Sequence, residues 1–342
     1  MTALKGGLEM AMAAGSTQLE VETVLEPTTE GERRIVGRSL GQLAWARLRK
    51  DKVAMSGGVI VILLLLVSLA SWPLEHFGII KPRESNLDLL DGTTSMPKGA
   101  FSGASMSHPL GVEPGSGRDI LALVISGARV SMFISLAATV LAMALGVVMG
   151  IAAGYFGGWA DSVISRLMDL MLAFPVLLFS IALLVIFQNV GSIGPLQGQS
   201  LTITALILII GFFGWAYPAR IMRGQVLSLR EKEFVEAARS LGAGNGRVLF
   251  KELLPNLVAP ILVFATLIIP VNILAEAALS FLGVGIQPPA SSWGKMLSQA
   301  IPTAQVNPFY VIVPGMAIFI AVLAFNLFGD GLRDAFDPKS SR

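Results

Sequence analysis

The chain has 342 residues, of which 54% are hydrophobic and 14% are charged, with a mean hydropathy of +0.70. Soluble domains carry roughly 25% charged residues, so this composition excludes an ordinary soluble protein and indicates a polytopic membrane protein. There are no cysteines and only two histidines, His76 and His108, which excludes disulfide chemistry and a metal centre built from histidines. The net charge of +2 is typical of basic loops beside membrane spans and does not indicate nucleic-acid binding.

The residues before the first apolar run do not form a signal peptide, because Glu9, Glu20 and Glu22 interrupt them. We expect residues 1–40 to form a flexible cytoplasmic tail. The rest of the predicted organisation is an amphipathic segment with the first span at 41–75, an external segment at 76–128, a core domain at 129–330 and a cytoplasmic C-terminal tail at 331–342.

Six apolar runs are each long enough to cross a hydrocarbon core of ~30 Å. They predict an all-α fold with spans at 55–74, 130–153, 167–187, 201–222, 257–278 and 309–328. In the second span, Gly146, Gly150 and Gly154 form a stripe of small residues that allows close helix packing. The partner helix of this stripe belongs either to this chain or to a second subunit. Pro175 lies inside the third span, where a proline predicts a bend.

Orientation follows from the basic residues, which cluster before the first span and between the fourth and fifth spans. The two clusters are Arg38, Arg47, Arg49, Lys50 and Lys52, and Arg220, Arg223, Arg230, Lys232, Arg239, Arg247 and Lys251. Between the fifth and sixth spans only Lys295 is basic. The excess of positive charge on the cytoplasmic side of membrane proteins predicts that both termini are cytoplasmic.

A charged segment, EAARSLGAGNGRVLFKELLP, lies between the fourth and fifth spans at 236–255. Its first half predicts a helix with Phe234, Ala238 and Leu241 on one face, ended by glycines from Gly242 onward. Residues 246–254 predict a second short helix, which Pro255 is expected to end as it redirects the chain into the fifth span. Two short helices at an angle on the cytoplasmic side would suit a cleft in another protein.

This segment resembles the EAA motif of importer-type ABC permeases. The motif's spacing is matched by Glu236, Ala237, Ala238, Gly242, Leu254 and Pro255. The segment departs from the family at Glu252, where an aliphatic residue is usual. A second Glu-Ala-Ala, at Glu276, lacks the later glycine spacing and the Leu-Pro, so the full spacing carries the resemblance. In that family the segment is the coupling helix, which sits in a groove of the ATPase subunit.

Other stretches narrow the resemblance to the C-type permease of dipeptide, oligopeptide and nickel ABC importers, over residues 40–338. They include GYFGGWADSVISRLMDLMLAFP and EAALSFLGVGIQPPASSWGKML. The family's external LGTD-x-x-GRD appears here as LGVEPGSGRD, one residue longer, with Val112 and Glu113 in place of Thr and Asp.

The resemblance implies a type I permease fold with six transmembrane helices in a bacterial plasma membrane. It implies a homologous B-type permease, two P-loop ATPase subunits and an external substrate-binding protein as partners, with the lipid bilayer around them. This sequence has no G-x-x-x-x-G-K-[ST], so ATP and Mg²⁺ are expected on the partner ATPases, and no catalytic residue, metal or cofactor is expected here.

The expected cargo is a short peptide, with nickel complexes and oligosaccharides as alternatives carried by related permeases. An ion-coupled secondary transporter acting alone and a non-transporting membrane scaffold are rival hypotheses. Asn272 and Glu276 in the fifth span are candidates for lining the pathway near its external mouth, and inter-helix hydrogen bonding is the alternative. Replacing Gly242 with a bulky residue is expected to uncouple ATP hydrolysis from transport.

Overall fold

The computed structural model describes residues 40–337, and these are mostly helical. The predicted all-α fold is confirmed. The flexible tail predicted at 1–40 falls outside the described residues apart from Leu40. The helices are α1 (Leu40–Leu48), α2 (Lys52–His76), α3 (Ile120–Phe156), α4 (Gly158–Ala173), α5 (Val176–Val190), α6 (Gly198–Gly214), α7 (Ala216–Leu229), α8 (Glu233–Ser240), α9 (Asn245–Arg247), α10 (Leu254–Phe281), α11 (Trp293–Ala300) and α12 (Pro308–Phe336).

Short elements join these helices. A π-helical turn at Val248–Leu253 links α9 to α10, and 3₁₀ turns occur at Leu87–Leu89 and Ile301–Thr303. Strands β1 (Ser192–Ile193) and β2 (Leu196–Gln197) form an antiparallel hairpin between α5 and α6.

By length and composition, five helical stretches within residues 40–337 could cross a membrane, and a sixth is made if the bent pair α4–α5 counts as one span. The six predicted runs coincide with these helices, but several helices are longer than predicted. Helix α3 begins at Ile120, inside the predicted external segment, and α12 continues to Phe336, past residue 331 where the C-terminal tail was predicted to begin.

The third predicted span, 167–187, is not one helix. Helices α4 and α5 meet at an angle of 82°, with Phe174 in an extended conformation between them (φ −82°, ψ 136°). The cause is Pro175, because the proline ring disfavours the helical conformation for the residue before it. The bend that Pro175 predicted is therefore present, and it divides the span into two arms.

Helix α3 is the centre of the bundle and packs against α2, α6, α7 and α10. One buried cluster joins it to α2, α10, α11 and α12, and includes Met132, Ile273, Trp293 and Phe325. A second cluster joins it to α5, α6 and the turn after α10, and includes Ile134, Leu184 and Ile209. Every other long helix is thus positioned relative to α3.

The glycine stripe of α3 faces α7 of the same chain. The partner helix of the stripe therefore belongs to this chain and not to a second subunit. A β-carbon on Gly146 would lie 2.6 Å from Cβ of Pro218, and one on Gly150 would lie 2.6 Å from the carbonyl oxygen of Ala219. At Gly154 the nearest atom would be Cβ of Val226, at 2.8 Å. Only glycine permits helix axes this close.

Residues 77–119 form a long connection that is held to the bundle by buried polar groups. The Glu113 carboxylate accepts hydrogen bonds from the guanidinium of Arg118 (2.7 Å) and from the hydroxyl of Tyr310 on α12 (2.7 Å). Asp119 caps α3 by accepting from the backbone N–H of Ala122, and it contacts Nδ1 of His108 at 2.7 Å. Glu113, where the sequence departs from the family pattern, is therefore buried, and its carboxylate bonds to another helix.

Replacing Gly150 with leucine is expected to separate α3 from α7 and destabilise the chain. Overpacking costs about 1–3 kcal/mol in a core that can adjust, and here the obstacle includes backbone, so we expect the upper end of that range. The measurement is the thermal midpoint of the purified protein in detergent. Gly224→Leu on α7 is the control, because a β-carbon there meets nothing within 4 Å. Equal midpoints for the two variants would contradict the packing described.

Candidate functional site

The loop between α7 and α10 places a short helix and a tight turn at one end of the bundle. Helix α8 ends in a Schellman motif. In it the N–H of Ala243 donates to the carbonyl of Ala238 (3.0 Å) and that of Gly242 donates to Arg239 (2.9 Å). Gly242 has φ of +82°, a conformation that costs other residues roughly 1–2 kcal/mol. The predicted end of the first helix at the glycines is therefore confirmed, with a defined role for Gly242.

The predicted end of the second helix at Pro255 is wrong. Helix α9, the π turn and α10 form one continuous stretch from Asn245 to Phe281. The N–H of Leu254 donates to the carbonyl of Leu249, five residues back. A wider turn of this kind leaves room for the ring of Pro255 just where the α-helical ladder resumes. The loop is consequently joined to α10 without a hinge at Pro255.

The inner side of the loop is fixed by a buried apolar cluster at the end of α3. Its members come from α3, α7, α8, the π turn and α10 and are Tyr155, Val226, Val235, Val248, Leu253 and Leu257. Val235 and Val248 are fully buried, so α8 and the π turn each contribute an anchor. We call this group the anchor cluster.

Polar contacts reinforce the anchor cluster. The hydroxyl of Tyr155 donates to Oδ1 of Asn245 at 2.9 Å. The guanidinium of Arg239 lies 5.4 Å from the centre of the Tyr155 ring, a cation–π distance. Arg230 donates to the carbonyl of Gly154 at 2.9 Å. The end of α3 therefore contacts the chain before α8, α8 itself and the chain after it.

The outer side of the loop is apolar and uncovered. Leu241 is 89% exposed, Phe250 is 70% exposed and Phe234 is 38% exposed. Glu236 and Ala237 are also exposed, and among residues 40–337 the Glu236 carboxylate has no hydrogen bond or ion pair. We call these five residues the docking face. Several apolar side chains exposed on one short loop are typical of a surface that another protein covers.

The six residues of the motif are divided between the two sides of this loop. Glu236, Ala237 and Gly242 are exposed, whereas Ala238 is half-buried. Leu254 and Pro255 lie further on, at the start of α10, with Leu254 half-buried. Their assignment to coupling remains a prediction.

Asn272 and Glu276 lie together on the face of α10 that packs against α3. Nδ2 of Asn272 donates to Oγ1 of Thr139 at 2.8 Å, and Glu276 accepts from the hydroxyls of Ser131 (2.8 Å) and Ser280 (2.7 Å). Both are buried, Glu276 completely. Inter-helix hydrogen bonding is thus their role in this conformation.

Asn272 also reaches a groove of about 470 Å³, which keeps it a candidate for the pathway. The groove is bordered by α4, α6, α7 and α10, with Leu172, Phe213, Tyr217 and Phe264 among its lining residues. Its walls are mostly aromatic and aliphatic. A pathway role for Asn272 and Glu276 remains a prediction.

Two ion pairs connect α4 to α7, with partners that the sequence analysis did not predict. Arg223 donates to both carboxylate oxygens of Asp161, at 2.5 and 2.7 Å, and Arg220 contacts Asp169 at 2.5 Å. The signal available in the sequence was the spacing of two arginines three apart and two aspartates eight apart, each set on one helical face. The sequence analysis used these two arginines only to predict membrane orientation, so their pairing with the aspartates was missed.

Comparison with known proteins identifies the class of membrane protein. A family profile described as the binding-protein-dependent transport system inner membrane component matches residues 146–342. A second profile, the N-terminal TM domain of oligopeptide transport permease C, matches residues 39–76.

Individual relatives cover most of the chain. The dipeptide transport system permease protein DppC of Alkalihalophilus pseudofirmus is 40% identical over 296 residues, which are 86% of this chain and 89% of that protein. The glutathione transport system permease protein GsiD of Pectobacterium atrosepticum is 37% identical over 295 residues, 86% of this chain and 90% of its own length. A solved structure of the MetNI methionine ABC transporter in an inward-facing conformation matches with a TM-score of 0.50 at 16% identity, covering 63% of this chain and 97% of that one. At this identity the likeness shows the fold alone.

The chain belongs to the family of binding-protein-dependent transport system inner membrane components, the permease subunits of ABC importers. The resemblance drawn from the EAA segment is confirmed at the level of the family, and so is the permease fold. No group of three or more His, Cys, Asp or Glu side chains within residues 40–337 could hold a metal ion.

Replacing Gly242 with leucine is expected to loosen α8, because the side chain is strained at φ of +82°. A penalty of roughly 1–2 kcal/mol corresponds to about 5–30-fold faster hydrogen exchange if α8 opens locally. The measurement is amide exchange over residues 233–247 by mass spectrometry. Gly246→Leu is the matched control, since Gly246 also has open space around it but no positive φ. Similar exchange in both variants would show that the turn does not depend on Gly242.

Proposed function

We propose that this chain is the membrane-spanning subunit of an ATP-driven importer of short peptides that works by alternating access. The docking face is the observation that supports this most directly. It carries the exposed side chains of Leu241, Phe250 and Phe234 and the exposed carboxylate of Glu236, in the loop that matches the coupling segment of the family. A peptide cargo is supported by the dipeptide and glutathione permeases to which the chain is similar.

The proposed assembly contains a homologous B-type permease, two ATPase subunits and an external binding protein. The chain crosses the plasma membrane of a bacterium several times with both termini in the cytoplasm, which puts the docking face on the side of ATP. The basic residues around the loop support this orientation. ATP and Mg²⁺ bind the ATPase partners, because this sequence has no P-loop.

Coupling begins when an ATPase groove receives the docking face. Leu241 and Phe234 leave water on docking, Ala237 lets the partner's backbone approach closely, and Glu236 accepts hydrogen bonds from partner donors. Full burial of an exposed Leu or Phe side chain contributes about 1.5–3 kcal/mol. The docking face then moves with the ATPase as nucleotide binds and leaves.

Two routes carry this movement into the membrane. The anchor cluster passes force from α8 to the end of α3 through Tyr155 and Val235. The continuous helix from Asn245 passes it directly to α10. Because Asn272 and Glu276 join α10 to α3, a change in the relation of these helices alters the hydrogen bonds at the proposed gate.

The function is tested by reconstituting the co-purified complex into proteoliposomes with its binding protein. Labelled dipeptide or glutathione is offered on the side of the binding protein, and ATP on the other. We expect uptake that requires ATP and persists when proton and sodium ionophores are added. Uptake that ignores ATP and collapses with an ionophore would establish the ion-coupled alternative. Transport of nickel complexes or oligosaccharides but not peptides would support an ATP-driven importer and contradict a peptide cargo.

The combined change Phe234→Ala and Leu241→Ala is expected to weaken attachment of the ATPases. Part of each side chain's burial energy is lost, so we expect at least about tenfold weaker retention of the ATPases and a matching loss of cargo-stimulated ATP hydrolysis. Both are measured on complexes purified at equal permease concentration. Trp159→Ala is the control, because Trp159 is 79% exposed outside the docking face. An equal loss in the control variant would argue against docking through this face.

A further inference from the structure

A groove runs along the side of the bundle between α2 and α6. Both helices pack on α3, and part of α3 between them is left uncovered. The groove has a volume of about 570 Å³. Phe133 and Leu136 of α3 form its floor, Leu69 and Trp72 of α2 form one wall and Ile203 of α6 forms the other. Its lining is predominantly apolar.

The groove opens on the outer surface of the bundle, where its apolar side chains are exposed. Leu69 is 74% exposed, Trp72 is 63% exposed and Phe133 is 58% exposed. A tryptophan near the end of a spanning helix is typical of the level where acyl chains meet headgroups. The open side of the groove is therefore accessible to acyl chains.

At the end nearest residues 77–119 the groove continues into a polar pocket. The two share Arg129, Val130 and Gln199, and the pocket adds polar residues that include Glu75, Arg83 and Ser291. Arg129 contacts Glu75 at 3.2 Å, and Arg83 contacts the other oxygen of the same carboxylate at 3.6 Å. Two guanidinium groups therefore share one carboxylate, which leaves one positive charge to be balanced.

Ser291 gives an independent indication of a missing ligand. Its residue is 7% exposed, and its hydroxyl is buried without a hydrogen-bond partner among residues 40–337. A buried hydroxyl without a partner is costly. Because Ser291 lines the polar pocket beside Arg129, an oxygen-bearing group placed there would pair with both side chains.

We propose that a phospholipid binds this site as a specific, slowly exchanging ligand. An acyl chain lies in the groove over Phe133 and Leu136, and the phosphate lies where the groove meets the polar pocket. One phosphate oxygen enters the pocket, whose volume is about 30 Å³, and accepts hydrogen bonds from Arg129 and the Ser291 hydroxyl. An amphiphile matches both halves of the site, since the walls are apolar along the groove and cationic only at one end. The single negative charge of a phosphodiester balances the pocket, and a guanidinium binds phosphate oxygens with charge-assisted hydrogen bonds.

The first experiment measures how much phospholipid remains on the intact complex. The full chain with its partner subunits is purified from native membranes in mild detergent and washed stepwise, and the lipid remaining per chain is determined by mass spectrometry. We expect one phospholipid per chain to resist washing. Arg129→Gln and Leu136→Trp should each lower its retention about tenfold, the first by removing the charge and the second by filling the groove.

The matched control is Ile62→Trp, which adds the same bulk to an exposed position of α2 that does not line the groove. It should retain lipid like the unmodified chain. If Arg129→Gln does not fold, Gln199→Ala tests the same end of the site, because Gln199 lines both halves. Equal retention in all folded variants, or no retained lipid in the unmodified chain, would overturn the proposal.

A second experiment locates the lipid. Complexes are placed in nanodiscs of phosphatidylethanolamine that contain phosphatidylglycerol with a photoactivatable acyl chain. We expect adducts on the peptides that contain Phe133 and Ile203 in excess of adducts on the peptide that contains Ile62. Evenly spread adducts, or groove residues without adducts because a partner subunit covers them, would contradict a lipid site.

Discussion

Helices α3 and α7 lie so close together that a β-carbon at Gly146, Gly150 or Gly154 would overlap the opposing helix. This contact runs along the last three turns of α3 and leads into the anchor cluster around Tyr155. In a bilayer, helices associate through close packing rather than through exclusion of water. The stripe therefore fixes the position of α7 relative to α3. Through α7 it also fixes the position of the docking face.

The outer and inner sides of the loop have different roles. Its inner side is buried on the end of α3 and is continuous with α10, whereas its outer side presents Leu241 and Phe250 without cover. A flexible loop with the same exposed residues could bind a partner but could not pass on its movement. Here Tyr155, Arg230 and the π turn restrict the motion of the loop at three places.

Most of the fold could be predicted because its signals are local. Apolar runs of about 20 residues located the spans, and Pro175 predicted the bend between α4 and α5. Pro255 misled the prediction because the π turn before it is a choice of hydrogen-bond register, which no single residue type specifies. The partner of the glycine stripe could not be predicted either, since small residues allow close approach without naming what approaches.

Part of the candidate site could also be predicted, because the motif is a local signal in the sequence. The motif spacing located Glu236, Ala237 and Gly242, and their exposure agrees with a docking role. The anchor cluster was missed because Tyr155 and Val226 are far from the motif along the chain and meet it only in the folded bundle. The buried contacts of Asn272 and Glu276 with α3 likewise depend on helix pairing.

The central claim is that the docking face and the start of α10 move as one body. The chain has no native cysteine, so spin labels can be attached to Ser240→Cys and Val258→Cys, two exposed positions outside the docking face, one on α8 and one on α10. The distance between them would be measured in the complete transporter without nucleotide and with ATP trapped. The account predicts one narrow distance distribution that is the same in both states. A distribution that shifts or broadens between the states would show a hinge between the loop and α10 and would contradict the account.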